Sequence, residues 1–192
     1  LVAKILRDLP GIERLYLLLR HKRQADGRVF SAAERLDEEL FARDAFDRFR
    51  REDPRGFAAA RQKVSAVDCE LGNPGMGVAE DIRQQLCAEV DLIIAPGASV
   101  VFDEPLDRAI QLNTLGPQEL LEFARQCRKE AVYVHVSTAY VSGRLSGSIA
   151  EDPLPLDRNI SQMMEGGVPD EPFDPEAEIA DCQERCQEVH AQ

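Results

Sequence analysis

The sequence lacks any long hydrophobic run. No apolar stretch approaches the roughly 20 residues that a membrane-spanning helix needs, and no segment has the pattern of a secretory signal peptide. The 192 residues are 44% hydrophobic and 30% charged, which is typical of a globular chain large enough to bury a core. We therefore expect a cytoplasmic protein of about one domain without a transmembrane segment.

Cysteine and histidine are scarce as well. The five cysteines are scattered and odd in number, which indicates a reducing compartment and argues against a disulfide framework. Cys182 and Cys186 lie four apart on a predicted helix, where we interpret them as solvated or packing thiols. The histidines, His21, His135 and His190, are far apart in the sequence. They predict neither a metal site nor a Cys/His nucleophile, so no metal is expected.

Basic residues are too few to form a nucleic-acid-binding face. The formal net charge is −12, and its distribution is uneven. Residues 151–192 hold twelve of the 35 acidic residues but only two of the 23 basic ones, whereas residues 1–150 are nearly neutral. This balance argues against a nucleic-acid partner. It also predicts that residues 146–192 form a separate acidic insertion or tail.

Apolar patterning predicts alternating helices and strands along residues 1–145. The predicted strands are 13–19, 63–69, 90–95 and 132–136, and the predicted helices are 1–9, 31–51, 79–89, one capped by Asp103 and one starting at Pro117. Helix 31–51 opens with the capping box Ser31-Ala-Ala-Glu34, and its core positions are Leu36, Leu40, Phe41, Phe46 and Phe49. The alternation is typical of an α/β fold with a doubly wound parallel sheet. An acidic helix is predicted from about Pro175.

Two hydroxyl residues, Ser137 and Thr138, directly follow the strand at 132–136. Ligands of open α/β sheets bind beyond the carboxyl ends of the strands, where a hydroxyl can donate a hydrogen bond to a substrate. Hydroxyl residues are also common in ordinary turns, so both interpretations stay open on this pattern alone.

Other strand ends carry candidate binding residues. Arg20 and Lys22 follow the first strand, where a basic residue can pair with the 2′-phosphate of NADP, although a solvated basic turn is an equal alternative. Glu70-Leu71 follow the second strand and are placed to contact an adenine. Gly97-Ala98 follow the third, where small residues let a ligand approach the backbone. Asn113, inside a predicted helix, either points outward or organises water near a catalytic group.

Five segments together resemble the fatty acyl-CoA reductases of the extended short-chain dehydrogenase/reductase superfamily. They are LPGIERLYLLLR (9–20), SAAERL (31–36), VDLIIAPGASVVFDEPL (90–106), LNTLGPQELLEFARQC (112–127) and VYVHVSTAYVSG (132–143). The resemblance covers about residues 1–145. The resemblance is to the branch of the superfamily that includes the reductase domains of carboxylic acid and aminoadipate reductases.

This resemblance implies a Rossmann-like fold and a place in lipid metabolism: NADPH-dependent reduction of a long-chain acyl-CoA to fatty aldehyde and fatty alcohol. By position, Arg20 would meet the 2′-phosphate, Glu70-Leu71 would flank the adenine, and Gly97-Ala98 would line the ribose and pyrophosphate. Asn113 would match the superfamily's helix asparagine. Thr138 would be the catalytic hydroxyl, with Ser137 as the alternative. A lipidic substrate is compatible with peripheral contact to a membrane.

The sequence departs from the family pattern in three places. The first strand and its TGxTGFLG-type loop, which holds the pyrophosphate, are not among the 192 residues, and neither is the Tyr-x-x-x-Lys pair that supplies the acid. Tyr140 and Arg144 have the same spacing, but Tyr140 sits at a strand end, so we do not interpret these two residues as that pair. Residues 95–98 read APGA where H-x-A-A is usual. We therefore expect this chain to be an incomplete, inactive part of a reductase.

Two other functions compete with this hypothesis. One is a non-catalytic Rossmann-like protein that binds a partner through its acidic tail. The other is a relative of the nucleotide-sugar epimerases and dehydratases, which share the asparagine and the strand-end hydroxyl. The basic turn at residues 20–23 favours NADP and counts mildly against the NAD-using epimerases.

Overall fold

The structure, a computed structural model, describes residues 1–128, 131–138, 146–151 and 173–191. Its strands are β1 (Leu15–Leu19), β2 (Lys22–Arg23), β3 (Val29–Phe30), β4 (Val64–Asp68), β5 (Leu92–Ala95) and β6 (Val132–His135). Its α-helices are α1 (Val2–Asp8), α2 (Ala32–Arg35), α3 (Asp47–Glu52), α4 (Pro54–Gln62), α5 (Glu80–Glu89), α6 (Leu106–Ile110), α7 (Gly116–Gln126) and α8 (Pro175–His190).

The four predicted strands are present and pair as two parallel half-sheets. β1 pairs with β4, with Leu15 opposite Val64 and Leu19 opposite Asp68. β5 pairs with β6, with Leu92 opposite Val132 and Ala95 opposite His135. Within the described ranges β1 and β5 are not hydrogen-bonded to each other, so each keeps one unpaired edge. The α/β fold with parallel strands is thus confirmed, in two halves.

One face of the β1–β4 half-sheet is covered by the phenylalanine cluster, whose buried members are Leu6, Leu36, Phe41, Phe46, Phe49, Ala60 and Val64. Phe41, Phe46 and Phe49 surround the ring of Phe57, with centroid separations of 5.6 to 6.0 Å. Aromatic rings at such separations attract each other beyond their simple burial. The core positions predicted from the sequence for residues 36–49 are confirmed.

The opposite face is covered by the α5/α7 cluster, whose buried members are Met76, Leu86, Ala95, Leu120, Phe123 and Cys127. Tyr16 and Leu18 from β1 pack against it, and so do Ile93 from β5 and Tyr133 from β6. Both half-sheets therefore share this cluster. Because β1 buries alternate residues in two different clusters, the sheet is doubly wound at this strand.

The other face of the β5–β6 half-sheet is largely open. Leu92 is 51% exposed and Val132 is 59% exposed, and Val134 is also exposed. A parallel strand is normally covered on both faces, so these apolar residues mark a face that the described residues do not cover.

The predicted long helix at 31–51 is interrupted. It begins at the Ser31–Glu34 capping box as predicted, but a π-helical turn at Leu36–Leu40 is followed by a break and a 3-10 turn at Asp44–Phe46 before α3. Arg50 bridges the break, since its guanidinium donates to the carbonyl oxygens of Phe41 at 2.9 Å and Arg43 at 3.1 Å. The break turns the phenylalanines inward.

Two further elements differ from the sequence expectation. Asp103 caps no helix, because α6 begins at Leu106, directly after Pro105. A short antiparallel hairpin, β2–β3, was not predicted, since two-residue strands leave no periodicity to detect. The predicted acidic helix is confirmed as α8, and His190 near its end lies 3.9 Å from Asp107 of α6.

Candidate functional site

The carboxyl ends of the four parallel strands carry most of the candidate residues. The ends are adjacent in pairs: the Cys69 amide donates to the Leu19 carbonyl at 3.2 Å, and the Val136 amide donates to the Ala95 carbonyl at 3.1 Å. Arg20 thus lies beside the start of the 69–77 loop, and Ser137-Thr138 lie beside the 96–99 loop. This is the edge at which open α/β sheets bind ligands.

Leu71 connects the two halves of the site. A Cβ atom placed on Gly97 would lie 3.4 Å from Cδ1 of Leu71, and one placed on Gly116 would lie 3.1 Å from its Cβ. The structure therefore brings Leu71 and Gly97, two predicted cofactor-binding residues, into contact. Gly97 and Ala98 are both exposed, so the backbone at this position is open to a ligand.

The 69–77 loop is held by its own backbone. The Glu70 amide donates to the Met76 carbonyl at 2.8 Å, and the Asn73 amide donates to the Glu70 carbonyl at 3.1 Å. Gly75, Met76 and Gly77 all have φ near +60°, and Met76 is fully buried in the α5/α7 cluster. A buried methionine in the left-handed region is strained, so its packing must fix the loop that presents Glu70 and Leu71.

Asn113 clamps the loop that follows β5. Its Oδ1 accepts a hydrogen bond from the Ser99 amide at 2.8 Å, and its Nδ2 donates to the Ser99 carbonyl at 3.1 Å. Asn113 lies in a π-helical turn, Gln111–Leu115, that joins α6 to α7. Such turns reorient side chains within a helix and are frequent at functional sites. The exposed Asn113 therefore acts on the backbone two residues after Gly97.

Ser99 and Glu104 extend this network and were not predicted as site residues. The Ser99 hydroxyl donates to the Glu104 carboxylate, whose other oxygen lies 3.2 Å from Nε of Arg108. The Glu104 side chain is only 16% exposed. No local pattern identifies Ser99 and Glu104, because their interaction depends on the loop between β5 and α6.

The basic residues after β1 have different surroundings. Lys22 is hydrogen-bonded through Nζ to Oε1 of Glu39 at 2.5 Å, and Arg35 lies 2.9 Å from the other Glu39 oxygen. These two cations lower the pKa of Glu39. Arg20 is exposed, its carbonyl oxygen accepts a hydrogen bond from Arg35 at 2.8 Å, and its guanidinium makes no ion pair with any residue that the structure describes. The Arg20 guanidinium is thus better placed than the Lys22 ammonium to receive a phosphate.

A histidine–carboxylate pair adjoins Arg20 and was also not predicted. Nε2 of His21 lies 2.7 Å from Oδ1 of Asp68, the last residue of β4. The same Asp68 oxygen accepts a hydrogen bond from the Ala32 amide at 2.7 Å. The pair spans the strand ends of β1 and β4, and His21 directly follows Arg20 in the chain.

The two hydroxyl residues Ser137 and Thr138 follow β6 at this edge, and both are exposed. Behind them Tyr133 points into the core, with its hydroxyl donating to the Pro117 carbonyl at 3.3 Å, and burial raises its pKa. Tyr140 and Arg144 lie outside the described residues. Among the residues that the structure does describe, no group of three or more His, Cys, Asp or Glu side chains is arranged to hold a metal ion.

A separate cleft of about 370 Å³ lies between the 74–78 turn and helices α5 and α7, and its lining includes Glu80, Arg83 and Glu119. None of the strand-end candidates lines it, so it is not part of this site. No helix in the described ranges combines the length and apolar character needed to cross a bilayer.

Comparison with known proteins identifies the family. Fatty acyl-CoA reductase 1 of Arabidopsis thaliana is 35% identical over 165 residues, which are 84% of this chain and 32% of that protein. The alcohol-forming fatty acyl-CoA reductase of Simmondsia chinensis is 31% identical over 162 residues, 83% of this chain and 32% of that protein. The chain thus spans about a third of the length of these relatives.

A solved structure gives the same fold. The terminal R domain from the myxalamid PKS-NRPS biosynthetic pathway is similar with a TM-score of 0.58 and 25% identity, over 80% of this chain and 35% of that one.

The model of an NAD-binding family described as Male sterility protein matches residues 1–186. With a Rossmann-like fold and this match over nearly its whole length, the chain belongs to the male sterility family of nicotinamide-cofactor-binding domains, with fatty acyl-CoA reductases as its relatives.

Proposed function

We propose that the chain is part of the cofactor domain of an NADPH-dependent reductase that acts on long-chain fatty acyl thioesters. The observation that supports this proposal most is the composition of the carboxyl-terminal strand edge. Exposed Arg20, the accessible backbone of Gly97 and the hydroxyls of Ser137 and Thr138 all lie there. Relatives named as fatty acyl-CoA reductases support acyl-CoA as the substrate, and fatty aldehyde or fatty alcohol as the product.

The residues present suit a dinucleotide phosphate. Arg20 offers planar donors that match the 2′-phosphate of NADPH. Leu71 offers an apolar contact for the adenine. The neighbouring Gly97 has no side chain of its own, which leaves its backbone accessible to the cofactor. The bound cofactor would supply the hydride. Asn113 would act by holding Ser99, and through it the 96–99 loop, in place.

Thr138 is proposed as the hydroxyl that donates a hydrogen bond to the substrate carbonyl oxygen, with Ser137 as the alternative. A hydrogen bond that strengthens as charge develops on this oxygen lowers the barrier to reduction. The developing oxyanion also needs a proton donor. The 192 residues contain no Tyr-x-x-x-Lys motif, so we propose that they are inactive by themselves.

The cofactor proposal is tested by titrating NADPH into this chain and into a longer form read from the coding sequence on both sides. Backbone amides of a Gly-rich loop hold the pyrophosphate in such folds, and this chain has no such loop before β1. We expect the longer form to bind at least about 100-fold more tightly, equivalent to losing about two charge-assisted hydrogen bonds in the short form. Equal, tight binding by the short chain would contradict this account. Stop codons or frame breaks in the flanking sequence would favour the non-catalytic alternative.

Arg20→Ala in the longer form tests the phosphate contact. Loss of a charge-assisted hydrogen bond to the 2′-phosphate should raise the KM for NADPH by about 10- to 100-fold and leave the KM for NADH nearly unchanged. Arg23→Ala is the matched control, because Arg23 is an exposed arginine only three residues further along the chain, in β2. An unchanged ratio of the two KM values in Arg20→Ala would show that Arg20 does not read the phosphate.

A further inference from the structure

Two of the five cysteines meet at the ends of helices α5 and α7, although about 40 positions separate them in the sequence. Cys87 lies in the last turns of α5, and Cys127 directly follows α7. Cys87 Sγ donates to the Gln126 carbonyl at 2.7 Å, and the Arg128 amide donates to the Cys87 carbonyl at 3.1 Å. The contacts of Cys87 thus fall on both neighbours of Cys127.

The two thiols are also close enough to affect each other. Burial and the neighbouring Cys87 raise the pKa of Cys127, and Cys127 Sγ donates to the Phe123 carbonyl at 3.3 Å, one turn before the end of α7. Cys127 is 6% exposed and belongs to the α5/α7 cluster, whereas Cys87 is only half-buried at its edge. One cysteine is thus partly exposed to solvent, and the other is buried in the same cluster.

We propose that Cys87 and Cys127 form a reversible intramolecular disulfide that ties α5 to the connection between α7 and β6. Disulfides require cysteines whose backbones are already close, and the Arg128–Cys87 hydrogen bond brings these backbones together. The proposal concerns a modification site and does not depend on the proposed reductase activity. In a reducing compartment the pair would stay as thiols and would close only under oxidation.

The oxidant of the cysteine pair is a small-molecule disulfide such as oxidised glutathione. The Cys87 thiolate attacks one glutathione sulfur, the glutathione S–S bond breaks, and one glutathione thiolate leaves. Cys127 then loses its proton to solvent and attacks Cys87 Sγ, which releases the second glutathione. The cysteine pair loses two electrons and two protons, and glutathione disulfide is reduced to two thiols.

The attack of Cys127 on the mixed disulfide should be slow at neutral pH. Burial, reinforced by the neighbouring Cys87, raises the pKa of Cys127 to about 11. Only the thiolate attacks, and below the pKa of Cys127 the thiolate population rises about tenfold per pH unit. Conversion of the mixed disulfide to the Cys87–Cys127 bond should accelerate accordingly between pH 7 and pH 9.

The test treats the full 192-residue chain with oxidised glutathione, alkylates the remaining thiols and maps the peptides by mass spectrometry. We expect three of the five cysteines to stay alkylatable and one linked peptide pair to contain Cys87 and Cys127. Dithiothreitol should reverse the link. Closing a loop of about 40 residues should raise the Tm by about 5–10 °C.

Matched variants separate this pair from the other cysteines. Cys182→Ser with Cys186→Ser removes the two thiols of α8 and should leave the link and the Tm shift intact. Cys87→Ser, at a half-buried position, should abolish both; Cys127→Ala provides a second variant that removes the partner sulfur. A link at other cysteines, a link between chains, or a stable glutathione adduct on Cys87 without a link would each overturn the proposal.

Discussion

At the scale of single residues, the described structure assigns the candidate side chains of Lys22, Leu71 and Asn113 to a definite neighbour. Asn113 is the clearest example. The sequence suggests either an outward-pointing helix residue or an organiser near a catalytic group, and the structure shows an exposed side chain bonded to both polar backbone groups of Ser99. That contact could not be predicted, because it joins residues on two elements whose relative position is set by packing.

Glu34 provides a residue-scale prediction about pH. The Ser31 amide, assisted by Arg28 and the Ser31 hydroxyl, lowers the pKa of Glu34 to about 2. A carboxyl whose folded pKa is depressed stabilises the fold above its unfolded pKa of about 4.5 and loses that contribution as the pH falls toward the folded pKa. Glu34→Gln should therefore lower the Tm at pH 7 but much less at pH 2.5.

Thermal unfolding between pH 7 and pH 2.5 measures this effect. Glu38→Gln is the control, since Glu38 approaches the same Arg28 only to 4.0 Å and is not part of the capping box. If both variants showed the same difference in Tm from the unmodified chain at every pH, the capping carboxylate would not be the source of the dependence.

At the scale of elements, the strands follow from the sequence and the helix interruptions do not. Apolar runs of four or five residues correctly located β1, β4, β5 and β6. The helix break at Phe41–Arg43 and the π-helical turn at Gln111–Leu115 arise from contacts with distant groups, such as Arg50 and the loop at Gly72. Such tertiary contacts override local helix propensity.

Gly72 provides the element-scale prediction. Its φ is +90°, and an added Cβ would lie 2.4 Å from the Gln111 carbonyl oxygen in the π-helical turn. Gly72→Ala should therefore lower the free energy of unfolding by about 2–4 kcal/mol, because backbone strain and a steric clash add. Urea denaturation measures the loss.

Gly27→Ala is a matched control for this substitution. Gly27 has nearly the same φ, +87°, but nothing lies within 4 Å of its added Cβ, so only the strain of about 1 kcal/mol applies. Equal losses in the two variants would mean that the loop shifts away from the turn at no cost, and the close approach between them would not matter.

At the scale of the whole molecule, side chains join the two half-sheets, and among the residues that the structure describes no backbone ladder links them. Phe46 belongs to the phenylalanine cluster, while Leu86 belongs to the α5/α7 cluster that both halves share. Phe46→Ala, at a cost of about 3–5 kcal/mol, should therefore reduce hydrogen-exchange protection in β1 and β4 more than in β5 and β6.

Leu86→Ala is the comparison variant, and at about 2–5 kcal/mol it should reduce protection in all four strands. Native-state exchange followed by mass spectrometry distinguishes these patterns. A uniform loss in Phe46→Ala would show that the halves unfold as one unit despite the missing ladder.

The sequence predicts the fold class and the family of this molecule better than the roles of single residues. Alternating strands and helices predicted the α/β fold, and residues 132–143 with residues 90–106 and 112–127 predicted the family to which the chain belongs. The division at residue 145 and the roles assigned to Arg20, Glu70 and Thr138 stay predictions. These roles depend on contacts with a cofactor and a substrate, and local sequence patterns do not encode such contacts.

The unpaired edges of β1 and β5 have a topological consequence. Within the described residues each edge presents backbone donors and acceptors with which another strand can pair, and both strands pack side chains against the same cluster. A single parallel strand inserted between them would merge the halves into one five-stranded sheet with β4 and β1 on one side and β5 and β6 on the other. Chain connections would then diverge left and right from that central strand. The crevice at such a reversal is where α/β sheets accept ligands, so the strand that unites the sheet would also complete its binding site.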